Sequence, residues 1–153
     1  MPEERFRLIN MNLPPLYFLG PLEEMFREHG AIEVVNPFFL DWPDGLLDPA
    51  QPLESLAKKS FMNPMMRICA SYSQPMLENL RKDVSEYKID GAINYAHLGC
   101  GSFGGASRLV RQTMKEEGVP MLDLSCDITD PTVVSPEEMR EQIVRFFEQL
   151  EDR

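Results

Sequence analysis

Apolar residues recur along the chain in two rhythms, short runs rich in branched side chains and longer stretches spaced by three and four. Their alternation predicts strands separated by helices. Phe6, Leu8 and Ile9 within residues 5–10 predict a first strand that stops before Pro14-Pro15. Over residues 16–30, Leu19, Leu22, Met25 and Phe26 form one stripe while Glu23, Glu24, Arg27 and Glu28 fill the rest. This is an amphipathic helix, with Gly30 as its left-handed C-terminal stop. Residues 31–35 (AIEVV) predict a second strand halted by Asn36-Pro37.

Residues 37–52 mix prolines, a glycine and aspartates with large hydrophobics, which predicts an irregular loop pinned by Phe38, Phe39 and Trp42 as a packed lid or a contact surface. A short helix is expected over 53–61, broken at Asn63-Pro64. A longer one is expected over 67–87, interrupted near Pro75, with Leu77, Leu80 and Val84 on one face. Strand three is expected at 90–96, a helix at 102–118 and strand four at 119–124. Ser135-Pro136-Glu137-Glu138 then supplies an N-cap, a first-turn proline and a capping-box glutamate, so the last helix starts there and buries Met139, Ile143, Phe146, Phe147 and Leu150. This order predicts an α/β chain, a small four-stranded, mainly parallel sheet with helices on both faces, in a three-layer Rossmann- or flavodoxin-like arrangement.

Composition narrows the picture without changing it. A chain of 153 residues fits one domain, expected to run over 1–153, and can hide about two thirds of its unfolded surface. No apolar run reaches the ~18 residues of a membrane span, and residues 1–7 are charged where an export signal turns apolar, so a cytoplasmic location is expected with no membrane partner. A net charge of -10 excludes nucleic acid as a partner, because a phosphate backbone is repelled on average. Cys69, Cys100 and Cys126 form neither a disulfide framework nor a CxxC site, which fits a reducing compartment. Met65, Met66 and Met76 are read as filling an irregular core ahead of forming a partner surface.

In an open parallel sheet, ligands gather beyond the carboxyl ends of the strands. Those positions carry Asn12, Asn36, the segment 97–102 (HLGCGS) and Ser125-Cys126-Asp127, and the third is richest. Cys100 stands between two glycines just ahead of a helix, where free backbone N–H groups and the helix dipole favour a thiolate. Glycines at 99, 101, 104 and 105 remove Cβ atoms and permit positive φ, so backbone can approach a bulky inorganic group or a phosphate. Two readings of this segment stay open: a metal-binding or reactive thiol, or a tight turn around an inert buried cysteine. His97 is a loop histidine or a donor beside Cys100. Asp127 and Asp130 are read as turn stabilisers, Cys126 as structural and Cys69 as packed in a helix. The segment is no P-loop, lacking Gly-Lys-Ser/Thr. The GxGxxG spacing of Gly99, Gly101 and Gly104 encloses a cysteine after strand three instead of following strand one.

With these residues in view the order of motifs resembles a known family. YKIDGAINYAHLGC at 87–100, EEGVPMLDLSCDITDP at 116–131 and SPEEMREQIVRFFEQLE at 135–151 are similar to the C-terminal part of 2-hydroxyacyl-CoA dehydratase and benzoyl-CoA reductase subunits, the type of the 2-hydroxyglutaryl-CoA dehydratase D-component. EHGAIEVV at 28–35 and PLESLAKKS at 52–60 extend the resemblance more loosely toward the N-terminus. The resemblance implies a 4Fe-4S cluster held by three cysteines, which takes an electron from an ATP-dependent activator protein and passes it to a CoA thioester for radical dehydration or reduction. By position Cys100 matches the last cluster ligand, with Gly99, Gly101, Ser102 and His97 as its cofactor-binding surroundings. The other two ligands belong to upstream domains of the family or to a partner subunit, so the chain alone is expected to be inactive and without a cluster. A second class of function remains open, a phosphate- or CoA-binding or subunit-interaction module without redox chemistry.

Overall fold

The four apolar runs become β1 (Phe6–Met11), β2 (Ala31–Val35), β3 (Gly91–His97) and β4 (Met121–Cys126). They form one sheet in the order β2-β1-β3-β4, and every neighbouring pair is parallel. The computed structural model describes residues 3–37, 45–62 and 74–153. Between the strands the described residues form a 3-10 turn (Leu16–Phe18), α1 (Leu19–Glu28), α2 (Pro52–Met62), α3 (Gln74–Tyr87) and α4 (Gly101–Glu116), and α5 (Pro136–Glu151) follows β4. The expected α/β class, the parallel sheet and the three layers are all present. Phe38, Phe39, Trp42, Met65, Met66, Cys69 and the expected helical residues 67–73 lie outside the described residues.

Strand alternation sorts the side chains into two cores. Phe6, Leu8, Ile93, Tyr95, Leu124 and Cys126 point to one face, where Leu22, Met25 and Phe26 of α1 and the whole predicted stripe of α5 cover them. Ile9, Met11, Val35 and Ala92 point to the other, under Leu77, Leu80 and Val84 of α3 and Val110 and Met114 of α4. Phe147 is fully buried, stacks on His29 at 4.3 Å and meets Phe26 edge-on at 6.0 Å. A phenyl ring taken wholly out of water contributes about 1.5–3 kcal/mol. Among the described residues, no helix is long and apolar enough to cross a membrane.

Local chemistry explains the element ends. Ser135 Oγ accepts the backbone N–H of Glu138 at 3.1 Å with Pro136 in the first turn, which is the predicted cap. Gly30 follows α1 at φ 65°, and its carbonyl receives Arg5 N at 2.8 Å, so the helix stop also ties down the chain leading into β1. The helix expected over 16–30 opens as a 3-10 turn. Pro21 then occupies the first turn of α1, where its missing N–H leaves no bond unmade. Pro75 likewise sits in the first turn of α3. Strand four runs two residues later than expected, because the ladder with β3 continues through His97↔Cys126. Cys126 and His97 therefore end strands and are not loop residues.

The Asp90-Gly91 step is explained by packing. Asp90 accepts Arg7 N on its side chain and gives its own N–H to Arg7 O, both at 2.8 Å, which sets the β1–β3 register. A Cβ on Gly91 would stand 2.8 Å from Phe146 Cζ and 3.1 Å from Leu150 Cδ1, so α5 can lie on β3 only where that atom is missing. Gly91→Ala is expected to cost about 1–3 kcal/mol, seen as a lower urea midpoint with unchanged slope. An unchanged midpoint contradicts this packing.

Asp83 on α3 is buried, and its Oδ2 has no hydrogen-bond partner. Burial first, then Glu86, push its carboxyl above the usual range, against the pull of Lys82. A raised acid favours folding when protonated. Its contribution is complete below the unfolded value of about 4 and is lost as pH rises through the folded one. Asp83→Asn is expected to raise the urea midpoint at pH 7, with the gain shrinking toward zero below about pH 4. A gain that grows on acidification has the wrong sign.

Candidate functional site

The chain runs from β1 to β2 on one side of the sheet and then crosses to β3 on the other. The connections leaving β1 and β3 therefore diverge, and the switch point between them, where ligands of open parallel sheets gather, has two walls beyond the carboxyl ends. One wall is the turn after β1, residues 12–15. The other is His97-Leu98-Gly99-Cys100 leading into α4. Cys100 stands at the N-cap of α4 without a side-chain capping bond. Its backbone N–H reaches His97 O at 3.0 Å, and its carbonyl receives Gly104 N at 3.1 Å. The side chain is half-buried, resting against the core under α3 and α4.

The glycines around it differ from the expectation in one respect. None of Gly99, Gly101, Gly104 and Gly105 adopts a positive φ; among the described glycines that geometry is confined to Gly30, Gly45 and Gly118. All four are exposed, and a Cβ at any of them would meet nothing within 4 Å among the described residues. Neither backbone strain nor packing among the described residues calls for glycine here. What the four glycines do provide is open space over bare backbone.

His97 is held from two sides. Its Nε2 lies 2.7 Å from Leu13 O, which can only accept, so Nε2 carries the hydrogen and Nδ1 is left to accept the Cys126 thiol at 3.6 Å. Both ring nitrogens are thus engaged within the protein, and the imidazole joins the β1 turn to the ends of β3 and β4. Cys126 is fully buried. Desolvation, then nearby Asp127, push its thiol up to about 11. Tyr17, beside the same strand ends, is also raised, by burial first and then by Cys126, Asp127 and Asp130.

Asp127 and Asp130 do what their positions suggested. Asp127 Oδ1 accepts the N–H groups of Thr129 and Asp130, both at 2.9 Å, and Asp130 Oδ1 accepts Thr132 N at 2.8 Å and Oγ1 at 2.7 Å. Thr129 for Asp127 and Thr132 for Asp130 lead the causes that hold both carboxyls below the usual range. Among the described residues, no group of three or more His, Cys, Asp or Glu side chains could hold a metal ion.

Sequence reasoning passes over a polar chain beneath the same edge. Asn36 Nδ2 donates to Asn12 O at 3.3 Å, Asn12 Nδ2 to Asn94 Oδ1 at 3.3 Å, and Asn94 Nδ2 to Asp123 Oδ1 at 2.7 Å. From α4, Ser107 Oγ donates to the same carboxylate at 3.4 Å, and Arg111 pairs with it. Asn12 and Asn36 are visible as strand-end residues. The signal for the others is a polar side chain interrupting each of two apolar runs, but their meeting depends on the register Asn94↔Asp123, which only the folded sheet fixes.

The contrast between two cysteines gives a measurable consequence. Native chain treated with iodoacetamide near neutral pH is expected to be modified at Cys100 on the order of a hundredfold faster than at Cys126, which should label only on unfolding. Equal rates by peptide mass spectrometry contradict the placement of both sulfurs.

Comparison with known proteins adds to this geometry. A family model described as 2-hydroxyglutaryl-CoA dehydratase, D-component, matches residues 1–150. A curated relative, one of the subunits of benzoyl-CoA reductase from Thauera aromatica, is 24% identical over 161 residues, an alignment that takes in 100% of this chain and 36% of the relative. The chain therefore spans little more than a third of that subunit's length. With nearly every residue inside the family model, the chain belongs to the 2-hydroxyglutaryl-CoA dehydratase D-component family.

Proposed function

We propose that this chain is the C-terminal part of a 2-hydroxyacyl-CoA dehydratase or benzoyl-CoA reductase-like subunit, and that Cys100 supplies one thiolate to a 4Fe-4S cluster. The observation that carries the reading is the half-buried Cys100 at the start of α4, at the switch point between β1 and β3, beside four exposed glycines that neither their φ angles nor packing among the described residues requires. A glycine within a helix costs up to about 1 kcal/mol relative to alanine, so Gly104 and Gly105 weaken α4 for no internal gain. A bulky inorganic group lying against bare backbone gives them a use.

The fit is to one corner of a cluster. A 4Fe-4S cluster of this family takes three cysteines, and one candidate stands here, so the remaining ligands come from the rest of the subunit or from a partner. The 36% share of the relative that this chain covers is in keeping with that. Gly99, Gly101 and Ser102 would offer backbone next to the cluster. His97 would support it indirectly, holding the turn through Leu13 and Cys126. When bound, the cluster supplies a low-potential electron for radical dehydration or reduction of a CoA thioester. An ATP-dependent activator protein is the electron donor in this reading, and the reaction belongs to the cytoplasm.

Anaerobic iron-sulfur reconstitution tests the reading, comparing the chain alone, the chain completed with the upstream domains, and the completed Cys100→Ser protein. The completed protein is expected to bind iron and sulfide in cluster proportion, while the chain alone and Cys100→Ser bind little. Gly104→Ala should stabilise the chain alone by about 0.5–1 kcal/mol and yet lower cluster occupancy in the completed protein. Wild-type loading by Cys100→Ser overturns the proposal. Binding of CoA or phosphate at the 97–105 turn with no iron uptake in any form would favour the non-redox module instead.

A further inference from the structure

Helix α4 begins poorly. Cys100 gives it no side-chain cap, Gly101, Gly104 and Gly105 lie in its first five residues, and among the described side chains of the helix the first buried apolar one is Ala106. A contact from outside the helix can therefore help to fix where it starts. Among the described side chains of its first three turns, Ser107 and Arg111, one turn apart, both end on Asp123 of β4. Asp123 is itself held from below. The side-chain amides of Asn12 and Asn94 donate in the same direction along the chain that terminates on the carboxylate, which can only accept. Asn94 is fully buried, and Asn12 and Asn36 nearly so, so this row cannot move without leaving polar groups unpaired inside the sheet.

We propose that Asp123 is a positioning residue. It transfers the rigidity of the sheet, from the ends of β1 and β2 at Asn12 and Asn36 and from the middle of β3 at Asn94, to Ser107 and Arg111, and so fixes the glycine-rich start of α4 and the direction of Cys100. The value of that placement rests on the reading of Cys100 as a ligand, but the placement itself does not.

Hydrogen exchange on the chain, with no iron present, tests it. Asp123→Asn is expected to speed exchange of the amides of residues 104–110 by about tenfold, the factor for losing one charged hydrogen bond, while amides of β1 and β3 keep their rates. Arg111→Met removes only the exposed arm and should give the same local pattern at about a third of that size or more. Arg145→Met, which breaks the comparable surface pair with Glu141 on α5, is the control and should leave residues 104–110 untouched. Unchanged exchange at 104–110 in both Asp123→Asn and Arg111→Met overturns the proposal, and so does acceleration spread evenly through β1 and β3, which marks ordinary loss of stability. Failure here would leave iron loading through Cys100 untouched, and failure of iron loading would leave this result standing.

Discussion

The parallel pairing of β1 with β3 is the constraint on which the rest depends. It joins segments about eighty residues apart in the chain, Leu8 opposite Gly91 through Met11 opposite Asn94. Two local devices set that register: Asp90 exchanging bonds with the backbone of Arg7, and the missing Cβ of Gly91 that admits Phe146. Once it is set, the two connections at the carboxyl end must part company, and Cys100 is carried to the rim of the gap they leave. The His97 bond to Leu13 O then bridges the two walls, and the Asn12–Asn94 contact does the same one layer below.

Much of this is legible in the sequence where a local rule and the tertiary need agree. β2 occupies the same five residues that its branched run marks, and every member of the α5 stripe is buried, because cap, proline and periodicity all point to one helix. The placement of Cys100 ahead of a helix is likewise readable, since a strand followed by glycines and an amphipathic run has few other ways to fold. Asp127 and Asp130 are the turn formers that their place before Thr and Pro suggests.

Other features need the pairing itself. The end of β4 lies beyond the last obviously apolar residue because backbone bonding to β3, not side-chain hydrophobicity, carries the strand to Cys126. The asparagine row escapes notice for a similar reason: an amide within an apolar run reads as a blemish until its neighbour across the sheet is known. The glycines at 99–105 look like conformational necessities in the sequence, whereas their φ angles are ordinary and their surroundings open. Under the proposed function, their demand comes from a cluster lying against them.

The central claim is that the Cys100 sulfur faces iron once the subunit is complete. Replacing Cys100 by selenocysteine in the chain joined to its upstream domains, loading iron and sulfide anaerobically, and recording the selenium-edge X-ray absorption tests it most directly. The account predicts iron among the nearest neighbours of selenium, beside the side-chain carbon. Light atoms alone around selenium, in a protein that carries its full complement of iron, would contradict it.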